Sequence, residues 1–215
     1  MLGATLALLL VAPLMLLIAL VLRLNASAPV LYQEARIGRQ QKPFTLYKFR
    51  SMKRDGDASS STVAASDDVR VHSLGRFLRR SHLDELPQLF NVLRGDMSLV
   101  GPRPYKPEHF EHLSDADRRL IVSVRPGLTG TDALRFIAED SALCGQDNPE
   151  RLYLTFFLPE KARLQGLYVQ SRSFGLDLRI LAQTLVQWCS GRTRRESIHF
   201  LNSLLPTNHS IKDQP

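Results

Sequence analysis

An unbroken apolar segment opens the chain. From Met1 to Leu22 no side chain is charged, and Leu, Ala, Val and Ile dominate. A straight helix of roughly 22 residues would extend about 33 Å, which matches the hydrocarbon core of a bilayer. Pro13 lies near the middle, where a proline removes a helical hydrogen bond and clashes with the preceding turn. The pattern therefore predicts a membrane helix that is either kinked and spanning, or bent back so that both ends stay on one face.

The residues after this segment bear on its orientation. Arg23, Arg36 and Arg39 follow it closely, and positive charge beside an apolar helix favours a cytoplasmic location for the downstream chain. A cleaved signal peptide is the alternative, because Ala26–Ala28 resembles a small-residue cleavage site. However, no Lys or Arg precedes the apolar segment, and the segment exceeds the usual ~7–15 residues of a signal peptide. We therefore expect a retained membrane anchor.

Alternating segments downstream predict a small β hairpin. Strand-like stretches lie around Val30–Tyr32 and Phe44–Phe49, and Gly38 and Pro43 bracket a turn between them. The following residues, 53–68, are short of large apolar side chains and rich in Ser, Ala and Asp. This composition predicts a surface loop.

Helical periodicity dominates the rest of the chain. Helices are predicted over residues 83–93, 107–124, 152–169 and 174–189. Gly95 ends the first of these, and Pro159 breaks or restarts the third. With the hairpin, this pattern predicts an α+β fold that is mostly helical.

The charge balance limits the class of partner. The chain has 28 Lys and Arg against 21 Asp and Glu, a formal net charge of +7. This excess suits nucleic acid, anionic lipid headgroups or phosphorylated substrates. Aromatic residues make up only 7%, and no stretch interleaves them with basic residues in the way that single-strand binders do, which argues against a single-strand nucleic-acid binder. Cys144 and Cys189 lie far apart and match no metal-ligand spacing, so they are expected to be reduced thiols.

Asp84 and Glu85 are adjacent acids at the predicted start of a helix, between Arg79 and Arg103. One interpretation is structural, with Ser81 as the N-cap and Asp84 in the first turn near the positive end of the helix dipole. That interpretation gives Glu85 and the arginines no role. The other is a nucleophilic carboxylate beside a metal-binding one, with arginines that neutralise a phosphate. Adjacent helical residues point about 100° apart, which disfavours a pair of glycosidase acids.

Three further motifs fit a phosphate site. Two prolines in Gly101–Pro104 restrict the backbone around its arginine. Lys48 and Arg50 alternate with apolar residues and so share one face of a strand. Gly127–Gly130 is a turn whose backbone N–H groups are suited to an anion. Each signal is weak alone.

Taken together, the chain resembles the bacterial sugar transferases known as monotopic phosphoglycosyl transferases. The resemblance is carried, in order, by KFRSM (48–52), LDELPQLFNVLRGDMSLVGPRP (83–104), RPGLTG (125–130) and SFGLDLRIL (173–181). It covers nearly the whole chain, and the stretch 83–104 is highly specific.

The resemblance implies an activity and its partners. Such enzymes transfer a sugar-1-phosphate from a UDP-sugar to polyprenyl (undecaprenyl) phosphate and release UMP, the first membrane step of exopolysaccharide or lipopolysaccharide biosynthesis. The implied location is the cytoplasmic face of the bacterial inner membrane. Nucleic acid is not an implied partner, and the sequence leaves open whether the chain forms a homo-oligomer. The competing hypothesis is a non-catalytic, membrane-anchored basic module that binds anionic lipid or nucleic acid and does not need the acidic pair.

The resemblance also assigns roles to residues. Asp84 matches the nucleophile that becomes a phosphosugar ester, and Glu85 matches the acid that helps to hold Mg²⁺. The residues expected to bind phosphate or other parts of the substrate are Lys48, Arg50, Arg79, Arg103 and Arg125. After the RPGLTG motif many members continue with a run that begins Trp-Ala-Gln, whereas this chain has Thr131–Phe136. The resemblance therefore does not identify the sugar.

The family's N-terminal segment is a re-entrant helix broken at a proline, which corresponds here to Ala12 and Pro13. The implied organisation has three parts: a re-entrant membrane helix over residues 1–28, a cytosolic catalytic domain with interfacial amphipathic helices over 29–205, and a flexible tail over 206–215.

Overall fold

The structure is a computed structural model that describes residues 2–25, 29–52, 70–136, 143 and 148–190. The predicted loop at 53–68 and the predicted tail at 206–215 lie outside the described residues. The helices are α1 (Leu2–Asn25), α2 (Ser73–Arg80), α3 (Gln88–Arg94), α4 (Pro107–Glu111), α5 (Asp115–Ile121), α6 (Thr131–Arg135), α7 (Pro149–Leu152), α8 (Leu158–Ser171) and α9 (Phe174–Ser190). The strands are β1 (Leu31–Ile37), β2 (Pro43–Phe49), β3 (Ser98–Val100) and β4 (Gly127–Thr129). The predicted α+β, mostly helical class is confirmed.

The predicted hairpin is confirmed. Strands β1 and β2 are antiparallel, with Tyr32 opposite Lys48 and Ile37 opposite Pro43. The connection is a tight turn over Arg39–Gln41, in which Gln40 and Gln41 have left-handed backbone angles, and the Gly38 N–H donates to the Lys42 carbonyl at 2.9 Å. The hairpin packs on α3, where Asn91 Nδ2 donates to the Thr45 carbonyl at 2.7 Å. This packing fixes the strand that carries Lys48.

A second, parallel pairing was not predicted. Strand β3 pairs with β4, and the Gly101 N–H donates to the Thr129 carbonyl at 3.0 Å. In return, the Gly127 N–H donates to the Pro102 carbonyl at 2.8 Å. A Cβ at position 127 would lie 2.1 Å from the Gly101 nitrogen, so this close approach requires glycine. The pairing joins the GPRP and RPGLTG motifs side by side.

Helix α1 lies along the rest of the protein with one apolar stripe. Ala4, Met15, Ile18 and Leu22 are buried, and the last three pack with apolar residues of β2, α2 and the turn that carries Asp84. The opposite face is exposed leucine, as at Leu10, which is 79% exposed. The helix is long and apolar enough to cross a membrane, with a mean hydropathy of 2.9.

The structure differs from the expected break at Ala12 and Pro13. Helix α1 continues from Leu2 to Asn25 with Pro13 inside it. A proline inside a helix leaves one carbonyl without its helical donor but does not necessarily end the helix. The re-entrant path through the bilayer stays a prediction.

The helix predicted from residue 83 begins later than expected. Leu83–Glu85 is a 3₁₀ turn, and α3 starts only at Gln88, after Pro87. Ser81 ends α2 instead of capping the next helix, and its hydroxyl donates to the Phe77 carbonyl at 2.8 Å. The capping interpretation of Ser81 is therefore wrong. The Gly95 stop is confirmed by its left-handed φ of 84°.

The remaining helices follow the sequence pattern with local changes. The predicted helix at 107–124 is divided into α4 and α5. Pro159 lies in the first turn of α8, and a π-helical turn over Tyr153–Phe157 joins α7 to α8 without a break. The final helix is confirmed as α9. The largest buried cluster is formed mainly by α4, α5, α6, α8 and α9, with Leu134, Leu164 and Ile180 fully enclosed.

Candidate active site

A tight turn presents the acidic pair. Between α2 and the 3₁₀ turn, His82 adopts a left-handed conformation with φ of 53° and reverses the chain. The Glu85 N–H donates to the His82 carbonyl at 3.2 Å, and the buried Leu86 packs with Phe49 and Leu78. This anchoring leaves Asp84 8% exposed at the wall of a cavity. The turn, and not a helix N-terminus, therefore fixes the direction of both carboxylates.

Two cations hold Glu85. Lys48 Nζ lies 3.0 Å from Glu85 Oε1. The guanidinium of Arg103 donates to both carboxylate oxygens, from Nη2 to Oε1 at 2.5 Å and from Nη1 to Oε2 at 3.3 Å. Paired contacts of this kind fix orientation as well as charge. A strand of the hairpin and the GPRP turn are thereby joined at one acid.

The two acids titrate in opposite directions. Burial alone would raise the pKa of Glu85, but Arg103 and Lys48 outweigh it and hold that pKa well below its usual range. Burial raises the pKa of Asp84 to about 6, and the negative charge of Glu85 contributes to this rise. The positive charges of Lys48, Arg79 and Arg103 favour the anion of Asp84 and lower this pKa, but burial outweighs them. Asp84 is still largely ionised at neutral pH.

Contacts on both sides position Arg103. Arg36 Nη1 donates to the Pro104 carbonyl at 2.9 Å, and the Ile37 N–H donates to the Tyr105 carbonyl at 3.0 Å. On the preceding side, Gly101 is held by the β3–β4 pairing. The GPRP turn is thus held by hydrogen bonds to the hairpin on one side and to β4 on the other. This places the side chain of Arg103 against Glu85.

A single open cavity of about 1180 Å³ receives most of the predicted site residues. The ones that line it are Asp84, Glu85, Lys48, Arg50, Arg79 and Arg103. Arg125 does not line it: the side chain is exposed and its guanidinium adjoins Gly95. The expectation that Arg125 joins the substrate site is therefore not supported by its position in the structure, because the β3–β4 pairing turns it away.

The cavity also reaches the apolar surface. Leu10 and Val11 of α1 and Leu181 and Leu185 of α9 contribute to its lining. Leu10 and Leu185 are 79% and 59% exposed. The polar centre and the exposed apolar helices therefore share one continuous opening.

Sequence reasoning missed a buried polar group on another wall of this cavity. Asp132 of α6 and Lys161 of α8 are 1% and 7% exposed, and both line it. The available signal was the departure of Thr131–Phe136 from the run expected after RPGLTG. It showed where the chain is unusual, without showing which side chains face the cavity.

The residues are compatible with a magnesium ion shared with a substrate. No group of three His, Cys, Asp or Glu side chains suited to a metal occurs among the described residues. Mg²⁺ is commonly bound by one or two carboxylates together with substrate phosphates, and Asp84 and Glu85 line the cavity side by side. The described part of the chain therefore forms no closed protein cage for a metal, but it does place two adjacent carboxylates at the wall of an open cavity.

Comparison with known proteins decides the family. The model of the bacterial sugar transferase family matches residues 1–191. The chain belongs to the bacterial sugar transferase family. This confirms the resemblance carried by the four motifs, which all lie within the matched residues.

Several relatives of this chain are named as enzymes that act on undecaprenyl phosphate. The chain is 44% identical over 129 residues to the UDP-glucose:undecaprenyl-phosphate glucose-1-phosphate transferase of Escherichia coli (strain K12), which covers 59% of this chain and 28% of the relative. It is 41% identical over 135 residues to the putative undecaprenyl-phosphate N-acetylgalactosaminyl 1-phosphate transferase of Bacillus subtilis (strain 168), which covers 60% of this chain and 71% of the relative. A Caulobacter vibrioides UDP-glucose:undecaprenyl-phosphate glucose-1-phosphate transferase is 37% identical over 176 residues, 81% of this chain and 62% of the relative. The matched region is thus less than a third of the E. coli relative, and the named sugars differ.

Proposed function

We propose that this chain transfers a sugar-1-phosphate from a UDP-sugar to undecaprenyl phosphate, with release of UMP, through a covalent intermediate on Asp84. The observation that carries the proposal is the buried Asp84 carboxylate, beside a Glu85 that Lys48 and Arg103 hold, in a cavity open to exposed apolar helices. The names of the relatives support the reaction class.

The reaction proceeds in two displacements at one phosphorus. An Asp84 carboxylate oxygen attacks the β-phosphorus of the UDP-sugar, the bond from that phosphorus to the bridging oxygen breaks, and UMP leaves with the electron pair. An oxygen of the lipid phosphate then attacks the same phosphorus and displaces Asp84. The products are UMP and a polyprenyl diphosphate sugar, and the carboxylate is regenerated. Covalent catalysis lets one site serve a soluble and a membrane-bound substrate in turn.

The cations of the cavity offset the repulsion between carboxylate and phosphate. Arg79 and Arg103 both act on the charge of Asp84, and guanidinium groups bind phosphate oxygens through paired donors. Lys48 adds a third positive charge at the same acid. A diphosphate that enters the cavity competes with Glu85 for these cations, so substrate binding and the ion pairs of Glu85 are linked.

Glu85, together with Asp84, is the group that would hold Mg²⁺. When bound, Mg²⁺ would supply charge neutralisation for the diphosphate and the departing UMP. The low pKa of Glu85 suits this role, because the side chain is ionised across the physiological range. To bind the ion, Glu85 would give up part of its present contacts with Lys48 and Arg103.

We place the protein on the cytoplasmic face of the bacterial inner membrane. The exposed leucines of α1 and the exposed Phe174, Leu178 and Leu185 of α9 present apolar surface, and Leu10 and Leu185 of these helices line the cavity. Undecaprenyl phosphate carries its phosphate at the membrane surface, so an opening flanked by these helices brings it within reach of Asp84.

The test is UMP release by membranes or detergent-purified protein with a panel of UDP-sugars and undecaprenyl phosphate. Asp84→Asn should abolish release, and Asp115→Asn is the matched control because its side chain is 74% exposed and bonded to Arg118 on α5. Full activity of the Asp84 variant, or absence of UMP release with every UDP-sugar, would reject the proposal. In the second case, salt-sensitive binding to anionic vesicles would favour the non-catalytic basic module.

A further inference from the structure

Asp132 is a buried carboxylate that the proposed displacements do not use. It is the second residue of α6 and is 1% exposed. Gln165 of α8, which is fully buried, donates from Nε2 to Asp132 Oδ2 at 2.9 Å. Neither Asp132 Oδ1 nor Gln165 Oε1 has a hydrogen-bond partner among the described residues. Two acceptor oxygens left in this state are costly to bury unless a donor reaches them in some state of the protein.

A cation and two aromatic rings complete this wall. Lys161 Nζ lies 5.0 Å from the centroid of the Tyr153 ring and 5.9 Å from that of the Phe136 ring. Its charge is also the main attraction that opposes the burial of Asp132. Asp132, Lys161, Phe136 and Tyr153 all line the cavity that contains Asp84. The wall thus offers an acceptor, a donor and aromatic surface, which is the set that binds a sugar ring.

The wall adjoins the phosphate-binding residues. Gln165 Nε2 also reaches the Arg103 carbonyl at 3.5 Å, and the charge of Arg103 acts on Asp132. In a UDP-sugar the hexose ring is bonded through one oxygen to the β-phosphate. A β-phosphate held at Arg103 and Asp84 therefore leaves its hexose in the same cavity that Asp132 lines.

We propose that Asp132 and Lys161 recognise the hexose of the UDP-sugar, with the Asp132 carboxylate accepting a hydrogen bond from a ring hydroxyl and Lys161 donating to a neighbouring hydroxyl oxygen. Phe136 and Tyr153 pack against the ring, and Gln165 positions Asp132. This inference rests on the proposed function and names the residues that select its donor. The alternative is a buried charge pair that only stabilises the fold.

The experiment is a hydroxyl scan. Single-deoxy analogues of the UDP-hexose that wild type accepts are compared by kcat/KM for UMP release. The bond that breaks joins phosphorus to oxygen, so removal of a ring hydroxyl leaves the reacting bond unchanged. In wild type, loss of the hydroxyl that reaches Asp132 should lower kcat/KM by about 10- to 100-fold. In Asp132→Ala, kcat/KM for that same analogue should be at most about threefold lower than kcat/KM for the parent UDP-hexose. The other analogues should show the same relative kcat/KM as in wild type.

Controls separate recognition from folding. UMP lacks the hexose, so its inhibition constant should not change in Asp132→Ala, whereas a distorted site would weaken UMP as well. Glu160→Gln is the matched variant on α8, because Glu160 pairs with Arg163 and does not line the cavity. If Asp132→Ala does not fold, Lys161→Met gives the same test with a different hydroxyl.

The outcomes are distinct. Deoxy penalties that are identical in wild type and in both cavity variants would overturn this inference and leave the proposed function intact. Weakened UMP inhibition in the variants, with an unchanged pattern across the analogues, would assign the pair a structural role. Absence of UMP release by wild type would overturn the proposed function and this inference with it.

Discussion

Asp84→Asn is predicted to abolish turnover and to make the protein more stable at neutral pH. The reason is the burial of a charge that the proposed mechanism requires. In the folded protein the pKa of Asp84 is raised from 3.8 to about 6, chiefly by burial. Asparagine has nearly the same shape and is never ionised, so it avoids the cost of burying the anion. A site that is stabilised by the loss of its nucleophile is a typical trade-off between stability and activity.

The size and pH window of the effect follow from that pKa. A difference between 3.8 and about 6 corresponds to about 3 kcal/mol. Because the folded pKa lies above the unfolded one, wild type loses stability as pH rises from about 4 to about 6, and the loss is complete above about 6. Relative to wild type, the stability of Asp84→Asn should therefore be unchanged below about pH 4, and the increase in stability should be largest above about pH 6. For a chain of this size the full gain is about 6 to 12 °C in melting temperature.

The neighbouring acid provides the control. The pKa of Glu85 is held well below 4.5, so its ionised form stabilises the folded protein above that pH. This stabilisation disappears as the pH falls and the carboxylate is protonated. Glu85→Gln should therefore lower the melting temperature at neutral pH, and it also leaves Lys48 and Arg103 without their shared partner. Adjacent isosteric changes are thus predicted to act in opposite directions.

The assay is thermal unfolding in detergent from pH 4 to pH 8, with EDTA present so that no divalent ion binds the acids. Equal melting temperatures of wild type and Asp84→Asn at pH 8, or a lower one for the variant, would refute the reasoning. So would a gain from Glu85→Gln at neutral pH, because the pair would then not carry the opposed electrostatics that the structure indicates.

Three further predictions concern chemistry and backbone. The rate of adduct formation at low UDP-sugar should be level above about pH 6 and should fall about tenfold per pH unit below it, since only ionised Asp84 attacks; a level rate down to pH 4.5 would contradict this. Arg36→Met removes the 2.9 Å hydrogen bond to the Pro104 carbonyl and should lower kcat roughly tenfold, with partial recovery in Arg36→Lys; an unchanged kcat would show that Arg103 needs no such support. Gly127→Ala should prevent stable folding, because its Cβ would lie 2.1 Å from the Gly101 nitrogen. Gly175→Ala should be tolerated, because its Cβ would have no neighbour within 4 Å. Melting temperatures of the two variants would test this difference.

Local signals in the sequence were sufficient for the elements that local chemistry determines. The hairpin follows from alternating residues around Gly38 and Pro43, and α9 follows from an uninterrupted helical period. The end of α3 follows from Gly95, whose left-handed backbone suits glycine. These features depend on neighbours in the chain, and a single sequence displays them.

Long-range pairing was not predictable in the same way. Strands β3 and β4 have three residues each, too few for a period, and the pairing joins Ser98 to Gly127. The glycines of that region suggested an anion-binding turn, whereas in the structure Gly101 and Gly127 permit two backbones to touch. Arg125 was assigned to the site from its motif, and this pairing directs it outward.

The sequence predicted which residues belong to the candidate site better than it predicted their burial and pKa values. The motifs named Asp84, Glu85 and Arg103, and the structure places them on one cavity. Whether burial or attraction controls the pKa of Asp84 depends on how deeply the turn lies in the fold, and no spacing of residues reveals that. The same holds for Asp132 and Lys161, which come from separate helices and meet only after packing.

The central claim is the temporary bond between Asp84 and phosphorus, and intact-protein mass spectrometry tests it most directly. Protein quenched after incubation with an accepted UDP-sugar, without undecaprenyl phosphate, should gain the mass of one sugar phosphate. Fragmentation should locate this adduct on Asp84, and it should disappear when the lipid phosphate is added. Turnover with no adduct under any quench, or an adduct at another residue, would contradict the account.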